Sequence, residues 1–273
     1  MLEALPKQFI LGGCLAKIRG MMPSLSRSEK KLASFILGSP EAPLRHSSRE
    51  LGHQVDVSEA TVIRFCQSIG YDGYIEFRTA LGADLLRFQK TPYLEISQED
   101  NTARMFQKVF QMTSDSLSET LLLLDPKECE RAITVICKAK HVALYGMAGS
   151  GYIAREFNLI LLRLGVPAQV WTEQCTQAAS VALLGLDDVA FGISHTGSAV
   201  DVVEALRIAR ENGATTICLT NYFKSSITEA SDIKLFTSVR PIISGAENAP
   251  SRVAQLCILD ALATGIALQK FGR

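Results

Sequence analysis

The sequence predicts an α/β chain in two parts, an all-α helix-turn-helix domain followed by a doubly wound parallel sheet. Three observations carry this reading. Residues 1–86 hold short amphipathic helical stretches and no convincing strand. From residue 141 onward strand-like and helix-like segments alternate, which means parallel strands covered by helices on both faces. The strands of that alternation end in Gly- and Ser-rich loops, where ligands of open α/β sheets gather.

Composition bounds the rest. At 273 residues, 47% apolar and 21% charged, the chain can bury a sizeable core and is not extensively disordered. No run approaches the length of uninterrupted apolar residues that a membrane span needs, and no basic–apolar–cleavage order opens the chain, so neither a membrane partner nor a signal peptide is expected. The seven cysteines are scattered, without a C-x-x-C pair, and sit mostly in apolar segments, as reduced core thiols of a cytoplasmic protein do. The four histidines have no metal-ligand spacing, and no metal or cofactor is expected. Net charge is zero but uneven. Residues 1–90 carry 12 Lys/Arg against 9 Asp/Glu and the remainder 16 against 19, which is compatible with nucleic acid binding at the N-terminal end.

In the N-terminal part, residues 10–22 form one apolar helical pattern, broken by Pro23. Ser26 or Ser28 caps a second helix over residues 29–37, which ends at Gly38-Ser39-Pro40. Ser47 or Ser48 opens a very short helix at 49–54. The informative segment is 55–70. Ser58 is an N-cap, with Val57 and Val62 at the spacing of a hydrophobic staple. Val62, Phe65, Cys66 and Ile69 share the core face; Ala60, Arg64 and Gln67 lie opposite, Thr61 and Ile63 flank them, and Gly70 ends the helix. A small outer face near the helix start lets the backbone approach base edges, while an Arg further along reaches guanine or phosphate. An ordinary helical hairpin with a solvated Arg64 fits the same spacing.

Lys90-Thr91-Pro92-Tyr93 breaks the helical pattern, and the boundary is placed there. A linker and connecting helix are expected over 87–124, the helix at 102–124. Asp125-Pro126 then restarts a helix as N-cap and N1, opening the domain 125–273. The expected strands lie at 141–145, 168–171, 189–193, 215–219 and 233–237, and the helices at 152–164, 174–184, 200–211 and 251–269. The stretch 188–201 stands out: a buried strand, then Ser194-His195-Thr196-Gly197-Ser198, then a helix N-terminus. Free N–H groups of a first helical turn and Ser/Thr hydroxyls converging on one point make an anion site. In isolation such a loop is also an ordinary capped βα turn. Gly146-x-Ala148-x-x-Gly151, with Glu173 where a ribose-binding acid would lie, is a near miss to a dinucleotide fingerprint. Two hydroxyl-bearing loops on one sheet edge suit a compact phosphorylated ligand better.

Residues 26–37, Val57-Ser58-Glu59-Ala60-Thr61-Val62-Ile63-Arg64-Phe65-Cys66 and Ile69-Gly70-Tyr71-Asp72-Gly73-Tyr74 resemble the N-terminal domain of RpiR-type transcriptional regulators. Gly52 departs from the usual Ala, a cost of roughly 1 kcal/mol in helix propensity. Asp56 replaces the usual turn Gly and tolerates a left-handed conformation. The segments 146–150, 194–198, 209–214, 219–220 and 251–256 resemble a sugar isomerase (SIS) domain, the C-terminal half that such regulators carry. By that resemblance Ser150, Ser194, Thr196, Gly197 and Ser198 contact a sugar phosphate. Ala148 replaces a usual Gly, and Ala199 stands where Thr is common, with Ser198 as the substitute hydroxyl.

The resemblance implies a transcriptional regulator of carbohydrate metabolism, with no catalytic residues. It would bind a double-stranded DNA operator through Ser58, Ala60, Thr61, Arg64 and Gln67, and sense a phosphorylated sugar or sugar-acid effector. A homodimer or homotetramer is expected, since so small a DNA-binding domain needs paired half-sites. The Thr-Pro-Tyr segment, the Ser-His-Thr-Gly loop and residues 259–265 resemble the branch governing hexose catabolism, which points to a phosphorylated keto-deoxy sugar acid. The rival is a sugar-phosphate isomerase with an accessory helical domain, using Glu247 or His195 as proton shuttle. Glu247 is read instead as a ligand-hydroxyl acceptor, and His195 as a helix cap or ligand contact.

Overall fold

A computed structural model describes residues 13–87, 96–97, 99–239 and 249–272. The chain divides into two compact units, Met1–Leu94 and Glu95–Arg273. Among the described residues of the first unit, every element is helical. α1 (Cys14–Met21) stops where Pro23 tightens the chain into a 3-10 turn, Met22–Ser24. Ser26, rather than Ser28, caps α2 (Arg27–Gly38), because Glu29 then falls at N3 and completes a capping box. After α3 (Ala42–Arg45), Ser47 and Glu50 repeat the box on α4 (Ser48–Val55). Asp56 takes the left-handed conformation, φ 56° and ψ 54°, and turns the chain into α5 (Glu59–Ser68) and then α6 (Tyr74–Arg87). Leu32, Ile36, Leu51, Val62, Phe65, Ile69, Phe77 and Leu81 are buried together, with Phe77 edge-on to Phe65 and Tyr71. The Tyr74 hydroxyl donates to the carbonyls of Pro43 and His46, pinning the start of α6 to the segment before α4.

Gly52 corrects the propensity argument. A Cβ there would lie 2.8 Å from the carbonyl oxygen of Val57, and the Val57 N–H donates to the Gly52 carbonyl at 2.9 Å. The missing side chain is what lets the turn close on α4.

In the second unit, Asn101 caps α7 (Thr102–Leu123) and Asp125 caps α8 (Pro126–Lys138). Five strands follow: β1 (His141–Gly146), β2 (Ala168–Trp171), β3 (Asp188–Ile193), β4 (Thr215–Thr220) and β5 (Ile233–Phe236). They pair in the order β2-β1-β3-β4-β5, and every pairing is parallel. The helices between them are α9 (Ala148–Arg163), α10 (Gln174–Val181), α11 (Val200–Glu211) and α12 (Ser226–Glu229), with α13 (Ala249–Phe271) last.

Strand alternation sorts the core onto two faces. Val142 and Leu144 pack with Phe157, Ile136, Leu259 and Leu262 beneath α8, α9 and α13. Ala143 and Tyr145 pack with Val202, Leu206 and Ile227 beneath α10, α11 and α12. α7, read from sequence as a connecting helix, packs along α13. Within α13, Pro250–Phe271 is long and apolar enough to cross a membrane, which a search for uninterrupted apolar runs overlooks. Ala254, Ile258, Leu259, Leu262, Ala263 and Ile266 are buried there, and the helix is a wall of the sheet core. Cys14, Cys66 and Cys218 are core thiols, and burial pushes Cys14 up to about 12 and Cys218 to about 11. Cys175 and Cys257 are exposed, contrary to the core-thiol expectation, since they fall on the outer faces of α10 and α13.

Candidate functional site

The strand order reverses at β1, whose neighbours β2 and β3 lie on opposite sides. β1 and β3 end in register, Gly146 opposite Ile193, so the chain leaves the sheet side by side at Met147 and Ser194. That is the switch point where a crevice opens in a doubly wound sheet. Both exits run into helix N-termini with no side-chain cap, Met147 on α9 and Ala199 on α11. The first intrahelical bonds are Gly151 N–H to Met147 O and Val203 N–H to Ala199 O, so the N–H groups before them have no partner within the helix. Each of the two adjacent strands thus leads into an uncapped helix N-terminus, and a helix N-terminus is a favourable place for a phosphate.

Ser150 is buried at the third position of α9, because the helix begins at Ala148 and not at residue 152 as the sequence suggests. Ala148 explains the family's usual Gly: its φ is +46°, in the left-handed region. In the second loop the roles divide. Ser194 is buried and its hydroxyl accepts from the Gly197 N–H at 3.1 Å, bracing the loop. Gly197 has φ +66°, and a Cβ there would meet the Ser225 hydroxyl at 2.3 Å and the Thr220 hydroxyl at 2.9 Å. Thr196 and Ser198 are exposed, with the Ser198 hydroxyl donating to Thr196 Oγ1 at 3.0 Å. These two are the hydroxyls the loop presents.

His195 does not cap α11. Its Nδ1 lies 2.9 Å from Ser251 Oγ near the start of α13, and burial holds its pKa below the usual value. Its carbonyl accepts from the Asn221 N–H at 3.1 Å and the Thr220 hydroxyl at 3.3 Å, both at the end of β4. Glu247 lies outside the described residues.

In the first unit, Ala60, Ile63, Arg64 and Gln67 are the exposed residues of α5 between Glu59 and Ser68. Ser58 Oγ accepts from the Thr61 N–H at 3.2 Å as the N-cap. Thr61 is a correction to the sequence reading. It is buried, and its hydroxyl lies 2.8 Å from Ser58 Oγ and accepts from an Arg64 guanidinium nitrogen at 3.4 Å. A flank position on the helical wheel is covered here by the packing of α4 and α2 on α5.

Residues 12–87 match the helix-turn-helix domain of the rpiR family, and residues 135–265 match the SIS domain. Over 257 residues the chain is 35% identical to an uncharacterized HTH-type transcriptional regulator of Caldanaerobacter subterraneus subsp. tengcongensis, covering 94% of this chain and 91% of that one. It belongs to the RpiR family. This RpiR-family regulator is also 32% identical over 258 residues to the HTH-type transcriptional regulator HexR of Pseudomonas aeruginosa, covering 94% and 90% of the two chains. The solved structure of the Vibrio vulnificus NanR protein complexed with ManNAc-6P has a TM-score of 0.58 at 26% identity, covering 94% of this chain and 92% of that one. The chain is thus a helix-turn-helix transcriptional regulator whose second domain is of the SIS type.

Thr220, Asn221, Ser225 and Ser251 had no role assigned from sequence, yet all touch the 194–198 loop or its neighbours. The signal for Thr220 and Asn221 was present, since β4 adjoins β3 and its end must lie beside the β3 loop. Ser251 lies far along the chain, and only the packing of α13 brings it there.

Proposed function

We propose that this regulator binds operator DNA through α5 and holds a phosphorylated sugar or sugar acid at the ends of β1 and β3, as part of the control of carbohydrate metabolism. The convergence of the two uncapped N-termini of α9 and α11 at adjacent strand ends carries the effector reading. Phosphate would sit against the first-turn N–H groups and the hydroxyls of Ser150, Thr196 and Ser198. Ser194 and Gly197 shape the loop from behind, and Glu247 accepts from a sugar hydroxyl. A compact phosphosugar uses both exits at once, which an extended dinucleotide does not.

On the DNA side, Arg64 and Gln67 reach the groove or backbone past the small Ala60, with Thr61 and Ser58 fixing the helix start and the Arg64 head. The regulator acts as a cytoplasmic homodimer or homotetramer and has no enzymatic turnover of its own. Ser251 fixes the ring of His195 through Nδ1, which makes it a positioned wall of the crevice.

The deciding experiment is a thermal-shift screen of the full chain against glucose 6-phosphate, ribose 5-phosphate, N-acetylmannosamine 6-phosphate and a phosphorylated keto-deoxy sugar acid. A ligand at a hundredfold its Kd stabilises by about 2.7 kcal/mol. A clear shift with one of them and no isomerised product is expected. Turnover that Glu247→Gln abolishes would establish the isomerase instead.

A further inference from the structure

His195 is tied to two elements besides its own loop, and both lead to the same helix. Through its carbonyl, it accepts from the Asn221 N–H at 3.1 Å. The Asn221 side chain in turn clasps the chain beyond β5: its Nδ2 donates to the Val239 carbonyl at 3.3 Å, and its Oδ1 accepts from the Val239 N–H at 2.8 Å and the Thr237 hydroxyl at 3.0 Å. Between those two, Ser238 reaches α7. Its N–H donates to Thr120 Oγ1 and its hydroxyl to Glu119 Oε2, each at 2.9 Å. Asn221, Thr237, Ser238, Val239, Glu119 and Thr120 are all at least nine-tenths buried. Through its ring, His195 meets Ser251 on α13, the helix along which α7 packs.

Buried polar networks of this kind contribute little net stability over apolar packing, but they fix one geometry and transmit its change, because a half-broken network is costly in a low-dielectric interior. Among the described residues α7 is the first helix of the second unit, the one nearest in sequence to the helix-turn-helix unit. We propose that His195 and Asn221 form a relay by which effector occupancy of the 194–198 loop is transmitted to α7, with Ser238 as its contact on Glu119 and Thr120. The relay rests on the effector site assigned above. Binding that shifts the 194–198 backbone changes the His195 carbonyl's bond to Asn221, and the strap beyond β5 carries that change to α7. Coupling of this sort is reciprocal, so whatever holds α7 in one arrangement also alters effector affinity.

The test uses hydrogen–deuterium exchange on the full chain with whichever of the four sugar phosphates gives the largest thermal shift. In the wild type, the ligand is expected to change exchange of the α7 amides by about fivefold or more. The Thr120→Val/Ser238→Ala pair removes both contacts to α7 with near-isosteric groups that lie outside the loop. It is expected to bind the same sugar phosphate within a few-fold while its α7 response is lost. Should the pair fail to fold, Ser238→Ala alone removes the Glu119 bond and must reduce the response. An α7 response equal in wild type and variant, or none in a wild type that binds, overturns the relay and leaves the effector site standing. No thermal shift with any of the four overturns the effector site and the relay together.

Discussion

The Nδ1 of His195 lies 2.9 Å from the hydroxyl of Ser251, which joins the loop after β3 to the beginning of a helix more than fifty residues later in the chain. The bond forms inside a largely buried setting, and burial lowers the histidine's pKa from its ordinary 6.5. The sign of the consequence is fixed. As pH falls through that ordinary value the unfolded chain takes up a proton before the folded chain does, so the native state loses stability on the acid side. Thermal midpoints measured from about pH 7.5 to about pH 5.5 should fall more steeply for wild type than for His195→Gln, which cannot take up that proton. Parallel slopes would show that the ring is solvated enough to titrate normally.

Two backbone substitutions test the loops from opposite directions. At Gly197 the left-handed φ and the Ser225 hydroxyl at 2.3 Å from a Cβ leave no room for a side chain. Gly197→Ala should cost about 2 kcal/mol or more and abolish sugar-phosphate binding. At Ala148 the chain already carries a side chain at φ +46°. Ala148→Gly should relieve about 1 kcal/mol of that strain and raise the thermal midpoint. Urea denaturation of the two variants beside wild type reads both signs. A stabilised Gly197→Ala would mean that the loop adopts another conformation.

How much of this was legible beforehand depended on whether the deciding contact was local. Helix starts at Ser58 and Asp125 follow from a residue and its next few neighbours, and the structure has them as read. The five strands followed from short apolar runs between turn signals, and each lies within a residue or two of its expected bounds. α9 was placed four residues late because Gly149 and Gly151 read as loop, whereas the tight exit from β1 makes them the first turn of a helix. Thr61, a flank residue expected to contact DNA, is buried, because a helical wheel cannot tell a flank that is covered by a neighbouring helix from one that is open. Ser251 and Ser238 were illegible for a stronger reason: their partners are distant in sequence, and no periodicity within a segment encodes a long-range hydrogen bond.

Gly52 sets propensity against packing. By propensity alone, Gly52→Ala in α4 should stabilise by about 1 kcal/mol. The Val57 carbonyl oxygen at 2.8 Å from the new Cβ is backbone, held by its own turn, and cannot give way cheaply. The expected outcome is a lower denaturation midpoint and weaker DNA binding, since the displaced segment leads straight into α5. A gain in stability would show that the turn can open without cost.

The proposed recognition helix α5 offers the sharpest separation of roles. Arg64 is exposed, and one of its guanidinium nitrogens donates to Thr61 Oγ1, which itself lies against Ser58 Oγ at the N-cap. If Arg64 reads a base, Arg64→Ala should cost about 1–3 kcal/mol and relax preference at one position; if it contacts phosphate, it should weaken all sequences alike and lower the salt slope by about one. Thr61→Val keeps the shape but frees the guanidinium, so a smaller loss in the same direction is expected, with effector binding unchanged in both variants. Fluorescence anisotropy against DNA selected from a random pool by the wild-type protein, repeated over a range of salt, measures affinity and slope together. Wild-type affinity in Arg64→Ala would remove α5 from the interface.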